Sequence, residues 1–258
     1  MVLTMDQWQG KVAIVTGASA GCGEAIATAL VDSGMQVVGL ARREEKLNEL
    51  SRRLNKSGKS GKFHPVKCDI TNENDIKNAF QWVKNNLKEV HVLVNNAGIG
   101  KPLGLLSGKP SDWLDILKTN VLGLSIATQQ AVNDMIQKKN DGHVIHISSV
   151  LGHYVARVPN SNMYPASKFA VTALTETLRQ ELNQIGSKIK ITSISPGPVD
   201  SEFQKATTAT SNEEWEQFFT QLPKLQPEDV ADAVIYVLST PPHVQVQELM
   251  IRPLGEPV

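Results

Sequence analysis

Short apolar runs that alternate with helical patterns are the feature that most restricts what this chain can fold into. Runs of this length, rich in β-branched residues, are typical of strands buried in a parallel sheet. The runs are Lys11–Thr16, Gln36–Leu40, Phe63–Cys68, His91–Val94, His143–Ile147, Ile189–Ile194 and Gln247–Ile251. The clearest helical patterns between them are Asp112–Lys138, Met163–Ile185 and Glu228–Leu238. This alternation predicts an α/β doubly wound parallel sheet of about seven strands with helices on both faces, and ligands at the carboxyl ends of the strands.

The first run leads directly into a glycine-rich turn, Gly17-Ala18-Ser19-Ala20-Gly21-Cys22-Gly23, and then into a helical pattern at Glu24–Val31. Glycines let the main chain approach an anion closely, and a helix N-terminus provides unpaired N–H groups and a partial positive charge. The order of strand, turn and helix therefore predicts a phosphate-binding turn in a Rossmann-type fold. Its G-x-x-x-G-x-G spacing differs from the G-x-G-x-x-G fingerprint of dinucleotide sites.

Tyr164 and Lys168 are four residues apart in a helical pattern, so they lie on one face of the predicted helix. A cation about 5 Å away, at an effective dielectric of about 20, favours a phenolate by roughly 3 kcal/mol, or about two pK units. The pair therefore predicts a tyrosine pKa near 8, suited to proton exchange with an alcohol or carbonyl oxygen. The alternative is a surface lysine beside a half-buried tyrosine.

The chain resembles the short-chain dehydrogenase/reductases, and the resemblance rests on motifs that occur in the family's order. These are Thr16-Gly17 with Gly21 and Gly23, Asn95-Asn96-Ala97-Gly98, Asn120, Ser148-Ser149, Tyr164 with Lys168, and Pro196-Gly197. Residues 171–176 and 227–239 look like the NADP-dependent farnesol dehydrogenases of insects and their ketosteroid-reducing vertebrate relatives.

The resemblance implies a catalytic role for four polar residues. Ser149 is expected to bond the substrate oxygen and Tyr164 to exchange the proton, while Lys168 lowers the tyrosine pKa and holds the nicotinamide ribose. Asn120 is expected to distort its helix and bind a water that leads to Lys168. Motif register favours Ser149 over Ser148. The expected cofactor-binding residues are Gly17, Ser19, Gly21, Cys22, Gly23, Arg42, Arg43, Asp69, Ile70, Asn96, Ala97, Gly98, Tyr164, Lys168, Pro196, Gly197 and Val199.

The end of the second strand predicts NADP as the cofactor. Relatives that prefer NAD carry an acidic residue about 20 positions after the glycine turn, where this chain has Ala41 followed by Arg42 and Arg43. Arginine forms bidentate, charge-assisted bonds with phosphate. The alternative, a solvated helix start paired with Glu44 and Glu45, has to explain two cations placed against the helix dipole.

Other motif residues have expected places around the cofactor. By resemblance, Asp69 accepts a hydrogen bond from the adenine amino group. Capping a helix that starts near Thr71 is equally plausible for it. By the same resemblance, Asn96-Ala97-Gly98 holds the adenosine side and steadies the sheet. Pro196-Gly197 and Val199 flank the nicotinamide, and the main chain of Val199 pairs with the carboxamide.

The interval between Ser149 and Tyr164 is 15 positions, longer than is usual in the family. The excess predicts a bulged loop at Leu151–Asn162 beside the substrate. His153 lies in this loop and is the next candidate for the proton donor. His143 and His146 face opposite sides of a strand and cannot bind one ion, so no metal site is predicted.

Composition narrows the class of protein. The 258 residues have no net formal charge and no dividing linker, which predicts one domain over residues 1–258 and no nucleic-acid partner. Two cysteines, no signal peptide and no apolar run of membrane length predict a cytosolic protein without a membrane span.

A predicted short helix in residues 212–222 carries an apolar stripe at Trp215, Phe218, Phe219 and Leu222. It would either cover the site as a lid or pack on the domain or a second subunit. The opposite wall of a lipophilic pocket would be formed by Val150, Leu151, Tyr154, Val155 and Val158.

These patterns together predict an NADP-dependent enzyme acting on a lipophilic alcohol and its carbonyl partner, farnesol and farnesal first and a ketosteroid second. The rival hypothesis is a catalytically silent NADP-binding module. Such modules usually lack the tyrosine, lysine or serine that this chain retains. By resemblance, a homodimer or homotetramer is expected, with the helices Asp112–Lys138 and Met163–Ile185 at the interface.

Overall fold

The computed structural model of the protein describes residues 3–56, 58–101, 104–156, 163–203 and 220–256. In these residues a seven-stranded parallel sheet has the strand order β3-β2-β1-β4-β5-β6-β7. Its strands are β1 (Val12–Thr16), β2 (Gln36–Ala41), β3 (Lys62–Lys67), β4 (Val92–Asn95), β5 (His143–Ile147), β6 (Lys190–Pro196) and β7 (Glu248–Ile251). The order reverses between β1 and β4, where a doubly wound sheet opens a crevice at its carboxyl edge. The predicted fold is confirmed, and each strand end lies within two residues of its expected position.

Helices connect the strands along both faces of the sheet. They are α1 (Gly21–Asp32), α2 (Glu44–Asn55), α3 (Glu73–Leu87), α4 (Pro110–Leu117), α5 (Leu124–Lys138), α6 (Met163–Gln184) and α7 (Pro227–Ser239). The single helix predicted at Asp112–Lys138 is divided, because a π-helical segment, Lys118–Gly123, separates α4 from α5. Short 3-10 turns lie at Asp6–Trp8 and Val150–Gly152.

Two apolar cores hold these layers together, one on each face of the sheet. Residues of α1, α2 and α7 pack on one face, and residues of α3, α5 and the end of α6 on the other. Strand β1 contributes to both, because successive side chains point to opposite faces: Ala13 and Val15 to the first core, Ile14 to the second. Each fully buried aliphatic side chain stabilises the fold by about 1.5–3 kcal/mol.

The helices differ in whether a side chain accepts hydrogen bonds from the free N–H groups at their N-termini. Asn72 caps α3 by accepting from the N–H groups of Asn74 and Asp75. Helix α7 begins with a capping box between Gln226 and Asp229. Helix α1 follows Ala20, which makes no side-chain cap hydrogen bond. Its first N–H groups therefore stand at the switch point without an N-cap side chain. None of the helices that the structure describes combines the length and apolarity needed to cross a membrane.

Candidate active site

The carboxyl ends of β1 and β4 are joined at the switch point by the side chain of Thr16. Its hydroxyl accepts hydrogen bonds from the main-chain N–H groups of Asn96 and Ala97, both at 3.0 Å. The amide of Asn96 donates to the Thr16 carbonyl at 2.9 Å. These bonds fix the start of the glycine turn against the Asn96-Ala97-Gly98 segment. The tie made by the Thr16 hydroxyl was not anticipated from the sequence.

The glycine turn needs glycine for two separate reasons. Gly17 and Gly21 have φ angles of +69° and +55°, in the left-handed region that strains other residues. Gly23 sits so close to the turn that a Cβ atom there would lie 2.3 Å from the Gly17 carbonyl oxygen. The turn is therefore packed tightly under the uncapped N-terminus of α1. Cys22 lies within it, and burial raises the pKa of its thiol to about 11, so the thiol stays protonated at neutral pH.

Arg43 reaches from the end of β2 to this turn. Its Nε and Nη2 atoms donate to the Ser19 hydroxyl at 3.1 and 2.9 Å, and Ser19 itself is buried. Its Nη1 atom contacts Glu202 at 2.6 Å. The alternative that Arg43 pairs with Glu44 or Glu45 is wrong, since its acidic partner comes from the segment after β6. Arg42 is exposed beside it.

The structure rejects one of the two roles considered for Asp69. Helix α3 starts at Glu73 and is capped by Asn72, so Asp69 is not its cap. Its Oδ1 atom accepts from the N–H and hydroxyl of Thr71, forming a local turn. The following residue, Ile70, presses its carbonyl oxygen against the π-helical segment, where a Cβ on Gly123 would lie 2.3 Å from it.

The hydroxyl of Tyr164 is hydrogen-bonded to the side chain of Ser149. Ser149 lies two residues after the end of β5. Its hydroxyl also accepts a hydrogen bond from the N–H of Leu151 at 3.1 Å. Its neighbour Ser148 is buried, and its hydroxyl has no partner among the described residues. The structure therefore brings Ser149 rather than Ser148 to the phenol, as motif register had predicted. The Phe203 ring packs on Tyr164 with centroids 5.6 Å apart.

Lys168 lies one turn further along α6 and is buried under Tyr164. Its Nζ atom is 5.6 Å from the centre of the Tyr164 ring and donates to the Ile147 carbonyl at 2.9 Å. A Cβ on Gly98 would be 3.9 Å from this Nζ. Lys168 thus joins the end of β5 to the helix that carries the tyrosine.

The predicted lowering of the Tyr164 pKa is wrong for this structure. Burial disfavours the phenolate and raises the pKa of Tyr164 to about 12, although the Ser149 hydrogen bond opposes the rise. The ammonium is buried as well, and loss of hydration lowers the pKa of Lys168 to about 8. Its nearest acceptor is a main-chain carbonyl rather than the phenol oxygen. Burial therefore outweighs the attraction that sequence spacing alone suggested.

Asn120 lies inside the π-helical segment, so the expected distortion of its helix is present. Its Oδ1 accepts from the N–H of Ile99 at 2.8 Å, and its Nδ2 donates to the Ile99 carbonyl at 2.9 Å. Nδ2 also donates to Ser167 at 3.0 Å, and the Ser167 hydroxyl donates to the Tyr164 carbonyl at 2.7 Å. Ser167 was not singled out from the sequence, although it lies within the Tyr164–Lys168 motif.

The segment after β6 lies across the carboxyl edge of the sheet. The Gly197 N–H donates to the Ile251 carbonyl at 2.8 Å. Val199 bridges Leu225, with hydrogen bonds that use the Pro198 carbonyl and the Asp200 N–H. The N–H and carbonyl of Val199 itself therefore point to the opposite side, since these groups alternate along an extended chain.

Comparison with known proteins identifies the family. The sequence pattern of the short chain dehydrogenases matches residues 11–212. The chain belongs to the short-chain dehydrogenase family.

Individual relatives match nearly the whole length of this short-chain dehydrogenase. The protein is 49% identical over 253 residues to the farnesol dehydrogenase of Aedes aegypti, which covers 98% of this chain and 99% of the relative. It is 44% identical over 250 residues to dehydrogenase/reductase SDR family member 11 of Bos taurus, and this match covers 96% of this chain and 98% of the relative. Among solved structures, a closed form of serine dehydrogenase complexed with NADP+ has a TM-score of 0.85 at 29% identity, covering 96% of each chain.

The two histidines of β5 in this short-chain dehydrogenase have polar partners in the core. His143 and His146 are buried, and each contacts threonine hydroxyls: Thr192 at 2.8 Å for His143, and Thr128 and Thr175 at 3.2 and 3.0 Å for His146. Burial lowers the pKa of both rings to about 3, so they stay neutral. No cluster able to hold a metal ion occurs in the part of the chain that the structure describes.

His153 contacts side chains of β6 and β7. Its Nε2 atom contacts the Ser195 hydroxyl at 3.0 Å and the Glu248 carboxylate at 3.4 Å.

Part of the expected substrate pocket lies outside the described residues. This holds for Val158 and for Trp215, Phe218 and Phe219 of the apolar stripe. Of the opposite wall, Val150 is buried, while Val155 is 68% exposed. Tyr154 packs under the guanidinium of Arg252, which is 5.1 Å from its ring centre.

Proposed function

We propose that this short-chain dehydrogenase is an NADP-dependent oxidoreductase that interconverts a lipophilic alcohol and its aldehyde or ketone. Farnesol and farnesal are the first candidate pair. The proposal rests above all on the arrangement of Ser149, Tyr164 and Lys168 at the carboxyl edge of the sheet, where Ser149 and Lys168 are buried.

The residues of the switch point fit a nicotinamide dinucleotide. The glycine turn is closed to side chains by its own packing, and α1 presents uncapped N–H groups above it. Gly17, Gly21 and Gly23 would admit the pyrophosphate, Asn96 and Gly98 would lie along the adenosine side, and the main chain of Val199 would face the carboxamide. A bound nicotinamide supplies or accepts the hydride.

The proton chemistry of the reaction belongs to Tyr164. A pKa raised to about 12 keeps the phenol protonated at neutral pH, which is the state needed to donate to a carbonyl oxygen during reduction. Ser149 shares its hydroxyl with the phenol and would bond the same substrate oxygen. The Lys168 ammonium stabilises the phenolate that is left after the proton transfer.

The absence of an acidic side chain at Ala41, together with the Arg43 guanidinium held at the turn, supports NADP rather than NAD. An acid at that place would repel a 2′-phosphate, whereas a guanidinium attracts it. The curated relative named a farnesol dehydrogenase supports an isoprenoid substrate. The apolar Phe203 ring beside Tyr164 agrees with a lipophilic one.

Removal of the Tyr164 hydroxyl tests the catalytic proposal. We expect Tyr164→Phe to abolish turnover of any alcohol or carbonyl while NADPH still binds, since only the proton donor is lost. The measurement is NADPH absorbance with a panel of carbonyls, alongside NADPH binding by fluorescence. His153→Gln is the matched control and should retain activity. Substantial activity in Tyr164→Phe would place the proton donor elsewhere, and an inactive parent protein would favour a silent NADP-binding module.

The substrate proposal predicts a dependence on chain length. Each CH₂ buried is worth about 0.8 kcal/mol, so kcat/KM should rise about fourfold per additional buried CH₂ along a series of prenyl alcohols. Phe203→Ala should flatten this rise, while Leu254→Ala, at a side chain 99% exposed, should not. Best activity on a short polar alcohol would contradict a lipophilic pocket. A ketosteroid that exceeds every prenyl alcohol would make the steroid the substrate.

A further inference from the structure

Three charged side chains meet beside the glycine turn, and we call them the Arg43–Lys46–Glu202 cluster. One carboxylate oxygen of Glu202 contacts the Nη1 atom of Arg43, and the other contacts the Nζ atom of Lys46, both at 2.6 Å. Arg43 and Lys46 lie at the start of α2, whereas Glu202 comes from the segment after β6. A single anion is thus held between two cations from a different part of the chain.

The position of the cluster is fixed by the turn. Two nitrogen atoms of Arg43 are bonded to the buried Ser19 hydroxyl, which directs the remaining Nη1 toward Glu202. The residue before Glu202, Ser201, lies over the turn, where a Cβ on Gly21 would be 3.1 Å from the Cβ of Ser201. The Glu202 carboxylate therefore stands at the corner where the glycine turn meets the end of β2.

We infer that Lys46 joins Arg43 in binding the 2′-phosphate of the cofactor, and that Glu202 is an internal anion which this phosphate displaces. The inference rests on the proposed NADP dependence and names two residues that the proposal did not include. A phosphate monoester carries a charge of about −1.5 to −2 and three acceptor oxygens, against one charge and two oxygens for a carboxylate. It is therefore the stronger partner for the same two cations.

The displacement of the Glu202 carboxylate by the 2′-phosphate would also distinguish NADP from NAD. The cations hold the Glu202 carboxylate in its charged form, since their hydrogen bonds lower its pKa to about 2. NAD has a ribose hydroxyl at this place and cannot displace a carboxylate from two cations. NADP binding must break the Glu202 contacts before it gains its own, so Glu202 weakens NADP binding while Lys46 strengthens it.

The two residues should therefore respond in opposite directions. Dissociation constants of NADP, NAD, 2′-AMP and 5′-AMP are measured by calorimetry for the full chain and its variants. Lys46→Met should weaken NADP and 2′-AMP binding about three- to tenfold, the range of one exposed charge-assisted contact. Glu202→Gln should tighten both about two- to fivefold, as expected for loss of exposed ion pairs that compete. Neither variant should change NAD or 5′-AMP binding.

Matched controls come from a surface ion pair on α3, where Lys77 contacts Glu73 at 2.6 Å. Lys77→Met and Glu73→Gln make the same charge changes away from the turn and should leave all four ligands unaffected. Equal responses of these controls would mean a general charge effect and would overturn the inference. An unchanged ratio of NADP to NAD affinity in either Lys46→Met or Glu202→Gln would also overturn it.

These binding measurements distinguish a failure of this inference from a failure of the proposed function. If the parent protein binds 2′-AMP no better than 5′-AMP, the NADP proposal itself fails. If the parent prefers 2′-AMP and the double variant Arg42→Ala with Arg43→Ala loses that preference, the NADP proposal stands. Lys46→Met that then retains the preference would defeat only the inference about the Arg43–Lys46–Glu202 cluster.

Discussion

Burial changes the chemistry of Lys168 more than its sequence neighbours do. The ammonium donates to the Ile147 carbonyl beneath Tyr164, and loss of hydration lowers its pKa to about 8. Tyr164, whose pKa rises to about 12, stays protonated over the same range. Among these two residues, the lysine is therefore the group that changes charge near physiological pH, and the tyrosine is not.

This difference predicts the pH dependence of carbonyl reduction. The kcat/KM value for NADPH, which reports groups of the free enzyme, should fall as pH rises through about 8, because Lys168 loses the charge that stabilises the phenolate. Lys168→Arg keeps its charge throughout this range and should be less active but without that fall. A flat profile in the parent protein, or the same fall in Lys168→Arg, would contradict this assignment.

At the scale of elements, the glycine turn and α1 act as one rigid unit. A Cβ on Gly23 would lie 2.3 Å from the Gly17 carbonyl oxygen and 2.5 Å from the Asn96 amide nitrogen. The first neighbour is main chain, and the second is a side chain held in place by its hydrogen bond to the Thr16 carbonyl. Under the proposed function, this close approach brings the N-terminus of α1 to the cofactor phosphates.

Gly23→Ala should therefore push α1 away from the turn. We expect a loss of about 1–3 kcal/mol in stability, the usual cost of overpacking, together with weakened NADP binding. Thermal unfolding and cofactor titration measure the two effects. Gly186→Ala is the control: its φ of +66° makes alanine strained there, but nothing lies within 4 Å of the added Cβ. It should lose stability without losing cofactor affinity. Normal NADP affinity in Gly23→Ala would show that the turn does not cradle the phosphates.

The π-helical segment shows what element prediction missed. Residues 112–138 have the periodicity of one continuous helix, and a π turn adds only a single residue to the hydrogen-bonded ring. Residues far away in the chain contact this segment: the Ile70 carbonyl lies close to Gly123, and Ile99 pairs with both side-chain amide atoms of Asn120. Only the family resemblance signalled the distortion, through Asn120.

At the scale of the molecule, apolar side chains are exposed on the helices of this chain that we expected at a subunit interface. Leu114 and Leu122 are 50% and 52% exposed, Phe169 on α6 is 41% exposed, and Ile185, just after the end of α6, is 62% exposed. Helix α6 packs against α4 and the π-helical segment, so these side chains belong to adjoining elements. Their exposure supports the proposal of a homodimer or homotetramer built through this face.

Sedimentation tests that proposal. We expect the parent protein to sediment as a dimer or tetramer at micromolar concentration, and the double variant Leu114→Asp with Leu122→Asp to release monomer. Leu254→Asp, at a side chain 99% exposed outside these helices, should keep the parent's assembly state. A parent protein that sediments only as monomer would contradict an interface on these helices.

The sequence by itself determined the doubly wound sheet, because strand periodicity and helix periodicity differ and each run shows which faces are buried. Residue spacing along the chain also located the glycine turn and the Tyr164–Lys168 pair, and the family resemblance added Ser149. Only the tertiary structure decided the pKa values of Tyr164 and Lys168 and the position of the Glu202 carboxylate between Arg43 and Lys46. Each of these depends on residues far apart in sequence, whose distance and burial no local pattern contains.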